Sequence, residues 1–521
     1  VSSSVATVAA GVVVGTAFPG AAQAQLVPDF VGAYSTPWRY SAGLEVDETW
    51  SDNINLQPSG SQRSDFVTTI NPSFEASRTS RRLNLSLQYS PQLVYYARGS
   101  NGTQLRNGLG ANANATVIDN LLFVNASAGI SQQNISPFGT QAANTYNGSN
   151  NRAESRNYSF GPTLRSRLGQ DLTYSLGYNY AVSSSDSSAI ASSHSTDVFA
   201  NFQTSTSFRD LGYGMNFDRS EQDYGGVNTV TVEQGSGTLT YVLLPTLHLS
   251  GSAGYERDHY PTVGQPDLKS ATYSGGFDWE PTRHTSFSAQ FGHRYFGPTA
   301  NVHLTETMSR FSVSASYSRD QSTSGAAGLT LVQDPNYQLL DQYYRTTITD
   351  PVARAQLVTA ALQAAGLPSS QFATSNFLSN QIYVQTRADL SVALVGLRNT
   401  VSFDVSRSQS QGLSNLTVGF DIFNQTSRFR TMSYSANWSY KLGPSTSVNA
   451  TAQKVDSAAI EGVGSTRQRS LSASISRQIS KKVSATALYR NTKQTGTGDS
   501  GGFYSGNYVE NAVFGSLRVN F

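Results

Sequence analysis

The sequence predicts an all-β chain, a single transmembrane antiparallel β-barrel of about 22 strands (20–22) with one long extracellular loop that carries a short helix. Three observations predict it. Apolar and polar residues alternate with a period of two from one end of the chain to the other. The composition is polar almost without charge. The connections between alternating segments are short and long in turn.

Alternation is plainest in Leu83-Asn84-Leu85-Ser86-Leu87-Gln88-Tyr89-Ser90, where one face is Leu, Leu, Leu, Tyr and the other is Asn, Ser, Gln, Ser. The same split recurs in Phe311–Tyr317, Val401–Ser406 and Leu471–Ser476. Lipid on one side of the sheet and water on the other account for both faces. At 521 residues the chain is long enough for two or three soluble domains. Its 13 % of charged residues is about half of what a soluble globular protein carries. A disordered chain is poor in aromatics, whereas this one has 27 Tyr and 25 Phe. The net charge of +2, with no basic run interleaved with aromatics, removes nucleic acid as a partner. The absence of cysteine removes a disulfide framework, thiolate metal sites and a cysteine nucleophile.

In chain order, Val5–Phe18 is a small-residue apolar stretch followed by Ala22-Gln23-Ala24, which reads as a signal peptide over 1–24. The stretch is shorter than the roughly 20 residues of a membrane helix. Residues 25–37 form a short periplasmic segment, too short for a plug domain, and the barrel occupies 38–521. Short turns are expected at Arg78–Arg81, Ile118–Asn120, Gly169–Asp171, Arg209–Leu211, Leu244–Pro245, Pro281–Arg283, Leu397–Arg398, Gly443–Pro444 and Ser480–Lys481. Between them lie long polar loops such as Asn134–Arg152, Ser183–His194 and Gln411–Gln425. In outer-membrane barrels the short side is periplasmic. Keeping that order requires three strands in Thr285–Arg319, with turns near Phe296–Pro298 and Met308–Ser309. Asp320–Asn380 is the long extracellular insertion, and Pro351–Leu367 within it reads as a helix stopped by Gly366. A lumen this wide is normally plugged, so either this loop folds inward as a gate or it stays outside and the pore is wide enough for a bulky polymer. The last strand, Tyr508–Phe521, ends on an aromatic, as in strands read by the barrel-assembly machinery.

Motifs that spell chemistry are weak here. Gly498-Asp499-Ser500-Gly501-Gly502 matches the nucleophile segment of chymotrypsin-like proteases, but no histidine stands in the required context and hairpin-loop residues explain it. The six histidines have no metal-ligand spacing. No catalytic, cofactor or metal residue is assigned, and the chain reads as a non-enzyme. The candidate lumen-facing residues are Glu45 and Asp47, opposite Leu44 and Val46; Glu256 and Asp258, opposite Ala253 and Tyr255; and Tyr96, Arg294 and Asp404. Charges on a barrel's inner face set ion or substrate preference. Tyr96 and the loop pair Tyr343-Tyr344 are candidates for stacking on sugar rings, while most other tyrosines suit an interfacial girdle.

Glu48-Thr49-Trp50-Ser51-Asp52-Asn53-Ile54-Asn55-Leu56, with Ser64–Thr68 and Asn71-Pro72, resembles the opening of outer-membrane β-barrel proteins associated with PEP-CTERM/exosortase systems. Gly292-His293-Arg294-Tyr295-Phe296-Gly297 resembles a mid-chain motif of the same group. Trp50 stands where that pattern has Tyr. The resemblance implies a Gram-negative outer-membrane protein that moves or presents exopolysaccharide, and it supplies no catalytic residues. The expected function is therefore an exopolysaccharide conduit. The alternatives are a passive porin for small solutes and a non-conducting barrel that anchors a surface or secretion complex. Expected partners are outer-membrane lipid and lipopolysaccharide, the barrel-assembly machinery, polysaccharide and periplasmic export components.

Overall fold

In the computed structural model, the chain is described over residues 38–521 apart from 170, 188–189, 205–209, 226–227, 261–266, 309, 323–376, 380, 414–420, 498, 501–502 and 505. It forms one antiparallel sheet that closes on itself as a 22-strand barrel. Two of the strands are broken. Leu83–Tyr89 and Gln92–Tyr96 are halves of one strand, interrupted at Ser90-Pro91, where proline removes a ladder donor. Gln104–Arg106 and Leu109–Ile118 are the halves of its neighbour. The first strand, Arg39–Ser51, pairs with Asp65–Thr79 on one side. On its other side it pairs with the last strand, Tyr508–Asn520, in register from Gly43↔Asn520 to Ser51↔Ala512. That pairing closes the barrel and leaves no open edge.

The alternation read from sequence sets the two faces. On Ser465–Gln478, Leu471, Ala473 and Ile475 point outward and are exposed, while Ser470, Ser472 and Ser474 line the lumen. Phe403 and Val405, and Val513 and Leu517, are likewise exposed on the outside. Apolar side chains so displayed are stable in lipid and not in water. At the short-turn end Trp38 stacks on Tyr40 and Trp438 on Tyr440, with the Arg78 guanidinium over the Trp38 ring at 5.3 Å. These amphipathic rings and a snorkelling cation mark a membrane–water interface.

The connections follow the expected order. Short turns lie at 80–82, 119–121, 396–398 and 479–482, and Asn120 takes the left-handed backbone (φ 59°) that asparagine tolerates. Thr285–Arg319 falls into Thr285–Arg294, Gly297–Thr307 and the start of Phe311–Ser322, the three strands that the parity of the turns required. Asp499–Ser500 of the protease-like segment pairs with Phe503–Tyr504 as a small hairpin. The expected helix Pro351–Leu367 and the pair Tyr343-Tyr344 lie outside the described residues, as does most of the insertion Asp320–Asn380. Residues 1–37 do too.

Candidate functional site

The extracellular end of the lumen is roofed by loops that fold inward. The main element is 135–151, between the strands Leu122–Asn134 and Arg152–Leu168. Its Ile135, Phe138 and Tyr146 are too apolar to stand in water, and all three are buried. The loop holds its own shape through Asn151, whose Oδ1 accepts from the Ser136 N–H (2.8 Å) and whose Nδ2 donates to the Ser136 carbonyl (2.9 Å). Gly139 is required there, because a Cβ would lie 2.4 Å from the Asn151 amide carbon. Gly148 is required where the loop meets Asn55, whose Oδ1 would be 2.6 Å from a Cβ.

Thus shaped, the loop reaches the wall across the closing seam of the barrel. Thr466 Oγ1 donates to the Phe138 carbonyl (3.0 Å). Gln468 Nε2 and the Tyr508 hydroxyl both donate to the Gln141 carbonyl (2.7 and 2.6 Å), and the Gln141 N–H donates to Gln494 Oε1 (2.9 Å). Nearer the seam, Asn147 Nδ2 donates to Glu510 Oε1 (2.7 Å). Arg490 Nη2 reaches both Glu510 Oε2 (3.0 Å) and the Tyr146 hydroxyl (3.1 Å). Burial holds the Tyr146 phenol above its ordinary range, so it meets Arg490 as a neutral acceptor. Arg490 and Glu510 are themselves buried, a charge pair that leaves neither group uncompensated.

Among the described residues, loops from the opposite side join the roof. Phe138 packs edge-on against Phe429, which also meets Phe377 (4.9 Å between ring centroids) and Phe423 (5.6 Å). Tyr383 and Ile422 close this aromatic core. Asp421 caps the 3-10 turn Ile422–Asn424 through the Phe423 N–H and accepts from Ser379 Oγ (2.8 Å). Leu378 donates its N–H to the Ile135 carbonyl (3.2 Å), so the two sides of the mouth are joined directly.

Beneath the roof the lumen stays accessible. Asn84, Ser86 and Gln88 are exposed on the inner wall, and Gln453 likewise. Among the described residues no segment folds into the barrel from the periplasmic end.

The predicted lumen-facing residues all point inward, but they divide by height. Glu45 accepts from Ser516 Oγ (2.9 Å) and Asp47 from Thr69 Oγ1 (2.8 Å) and Asn71 Nδ2 (2.7 Å). Asp404 accepts from Ser435 Oγ (3.0 Å). Glu256, Asp258 and Arg294 are gathered at the extracellular end and fully buried. There Arg294 pairs with Glu256 and with Asp320 (2.8 Å), and Tyr260 and Tyr295 share a hydrogen bond beside them. Tyr96 also points inward, but its hydroxyl donates to the Tyr146 carbonyl (2.6 Å) and only 2 % of it is exposed. Its ring supports the roof and is not presented to a sugar. Sequence reasoning marks 135–151 only as a polar loop and misses its part in the roof. The available signal is Ile135, Phe138 and Tyr146 in a segment that would have no use for them in solvent.

No protein-family model and no curated protein matches the sequence. Among solved structures, the chain is similar to the FrpB iron transporter from Neisseria meningitidis (F5-1 variant, apoprotein form), at 11 % identity over 92 % of this chain and 81 % of that one, with a TM-score of 0.49. It is also similar to BauA, the ferric preacinetobactin receptor from Acinetobacter baumannii, at 8 % identity over 92 % and 80 %, TM-score 0.47. A doubly substituted form of OccD1 (OprD) matches at 10 % identity over 94 % and 98 %, TM-score 0.33. Likeness at this level carries no argument about cargo. The closed, even-numbered antiparallel barrel with an apolar exterior is the build of an outer-membrane protein.

Proposed function

We propose that the chain is a Gram-negative outer-membrane conduit that exports a hydrophilic polysaccharide, loaded from the periplasm and released through the loop roof. The observation that carries this reading is the contrast between the two mouths. The periplasmic end is bounded by short turns, while the extracellular end is covered by packed loops with a buried aromatic core. An open general porin has no use for such a roof, whereas an export channel needs one to prevent leakage between cargoes. The wall below is largely Ser, Thr, Asn and Gln, which hydrogen-bond sugar hydroxyls weakly and at many points, so a polymer slides and is not trapped. Outer-membrane lipid and lipopolysaccharide would surround the barrel, the barrel-assembly machinery would insert it, and periplasmic export components would deliver the polymer.

Deletion of the gene in its native host should leave exopolysaccharide in the periplasm and deplete it outside the cell. Purified protein in a planar bilayer should conduct, and polysaccharide added on the periplasmic side should block the current. Normal secretion by the deletion strain, together with unblocked current, would refute the reading. A barrel that passes no current under any condition would point to an anchoring role.

A further inference from the structure

We infer that the lumen selects for positive charge, and that the cargo is therefore an uncharged or amine-bearing saccharide polymer and not a polyanion. This rests on the conduit reading above and adds the charge class of what passes. The inference comes from sorting the inward-facing charges by height, which the net charge of +2 conceals.

At the periplasmic end the inner wall is close to balance. Arg39, Arg165, Arg167 and Lys441 point inward there or lie at the lip, against Glu75, Asp278 and Glu280. Cations at the lip are heavily screened by water and salt. Above them Glu45 and Arg518, register partners that their lipid-facing neighbours Val46 and Leu517 place within the membrane, offset one another.

Halfway up, the balance is lost. Asp47, Asp197, Asp218 and Asp404 sit in the body of their strands and face inward. The lipid-facing neighbours Val46, Val198, Phe217 and Phe403 place them within the membrane. They are spread round the barrel on its first strand, on the adjacent strands Ser193–Thr204 and Leu211–Tyr224, and on Asn399–Gly412. The groups that hydrogen-bond to these carboxylates are hydroxyls and amides. Asp197 accepts from Ser220 Oγ (2.6 Å) and Asn179 Nδ2 (3.2 Å). Asp404 accepts from Ser435 Oγ, and Asp47 from Thr69 and Asn71. Among the described residues none of the four is in an ion pair. Among the described residues the inward cations at this level are Arg387, already paired with Asp389 (2.7 Å), and Arg518, which faces its register partner Glu45.

Beneath the roof, among the described residues, Arg106 donates to the Gln104 side chain and Arg152 to the carbonyls of Asn144, Thr145 and Asn147, and neither has a carboxylate partner. Arg490 is matched by Glu510, and Arg294 faces Glu256, Asp258 and Asp320. With Asp65 and Asp421 buried at the same end, carboxylates still outnumber these cations and no positive excess restores the balance. Low-dielectric walls focus the field of uncompensated charge into the water they enclose. Carboxylates so placed attract cations and exclude anions, and a chain carrying a negative charge on each repeat meets the belt again and again. A neutral or amine-bearing chain does not.

Reversal potentials in a planar bilayer under a tenfold KCl gradient test this directly. The wild-type barrel should prefer K⁺ over Cl⁻ several-fold. D47N/D197N/D218N/D404N should bring the ratio toward one, and the single change Asp218→Asn should shift it part of the way. F138A/Q468A, which removes the ring packed on Phe429 and the side-chain hydrogen bond to the Gln141 carbonyl and so loosens the roof, serves for recording if the wild type opens rarely. Neutral dextran and chitosan oligosaccharides added on the periplasmic side should block the current, whereas dextran sulfate should not. Anion preference, an unchanged ratio in the asparagine variants, or block by dextran sulfate as strong as by dextran would each overturn the inference and leave the conduit standing. Cation preference with no block by any saccharide would instead overturn the conduit and leave the charge selection intact. Silence of both the wild type and the loosened variant would overturn both.

Discussion

The two mouths of this barrel are built from the same strands and solve opposite problems. At the periplasmic end the connections are short, and the side chains there, Arg81, Arg82, Arg398, Lys481 and Lys482, are exposed. At the extracellular end the loops turn inward, bury Phe138, Phe429 and Ile422, and tie Gln141 and Asn147 to the wall across the closing seam. The difference teaches that wall and roof are stabilised differently. The wall is held by backbone pairing, which is indifferent to most substitutions at its rim. The roof is held by a few buried side chains, each of which matters.

The strongest way to break this comparison is to remove the roof. Deleting 137–150 and bridging with a short Gly-Ser link should raise single-channel conductance several-fold, and an unchanged current would show that the loop does not narrow the path. Next in size is the buried pair. Glu510→Ala strands Arg490 without its counter-charge, and breaking a buried pair costs about 3–5 kcal/mol. Urea unfolding in detergent should show that loss, with the roof contacts released first. Phe138→Ala should follow at about 3 kcal/mol, the cost of truncating a buried ring, with noisier open-channel current as its signature. At the periplasmic rim, Lys481→Ala with Lys482→Ala should change stability by no more than about 0.5 kcal/mol. A large loss there would erase the contrast between the ends.

The smallest effect concerns a surface loop. Asp267 lies against His259 (2.9 Å) and Arg257 (2.6 Å), and the hydrogen bonds from His259 and then Arg257 hold its carboxyl down at about 2. A carboxyl lowered by folding contributes stability above its ordinary range, near pH 4, and that contribution disappears as pH falls through about 2. Carbon-13 NMR of labelled aspartate should therefore show one carboxyl titrating near 2, and Arg257→Ala should move it upward. A carboxyl titrating in the ordinary range in the unaltered protein would remove this clamp.

Much of the wall was legible in the sequence. Leu471-Ser472-Ala473-Ser474-Ile475-Ser476 reads as a strand with one apolar face, and the same alternation repeated along the whole chain calls for lipid on that side and water on the other. Turn parity then required three strands between Thr285 and Arg319, and the barrel has them. The inward direction of Glu45, Asp47, Tyr96, Glu256, Asp258, Arg294 and Asp404 follows from the same period of two. What those residues touch was not legible, because a period fixes direction and not height or neighbour. Tyr96 and Asp404 are alike in pattern, yet one supports a loop and the other lines the lumen.

The sequence by itself therefore determined the local matters: strand identity, the lipid and lumen faces, the turns and the parity that fixes the strand count. All of these depend on neighbours two to ten residues apart. Only the tertiary structure decided which loop roofs the pore and which carboxylates lack a counter-charge. Gln141 meets Gln468, Gln494 and Tyr508 across more than half the chain, and Asp47, Asp218 and Asp404 form a belt only once the sheet has closed. Contacts of that kind arise from closure, and no local pattern encodes them.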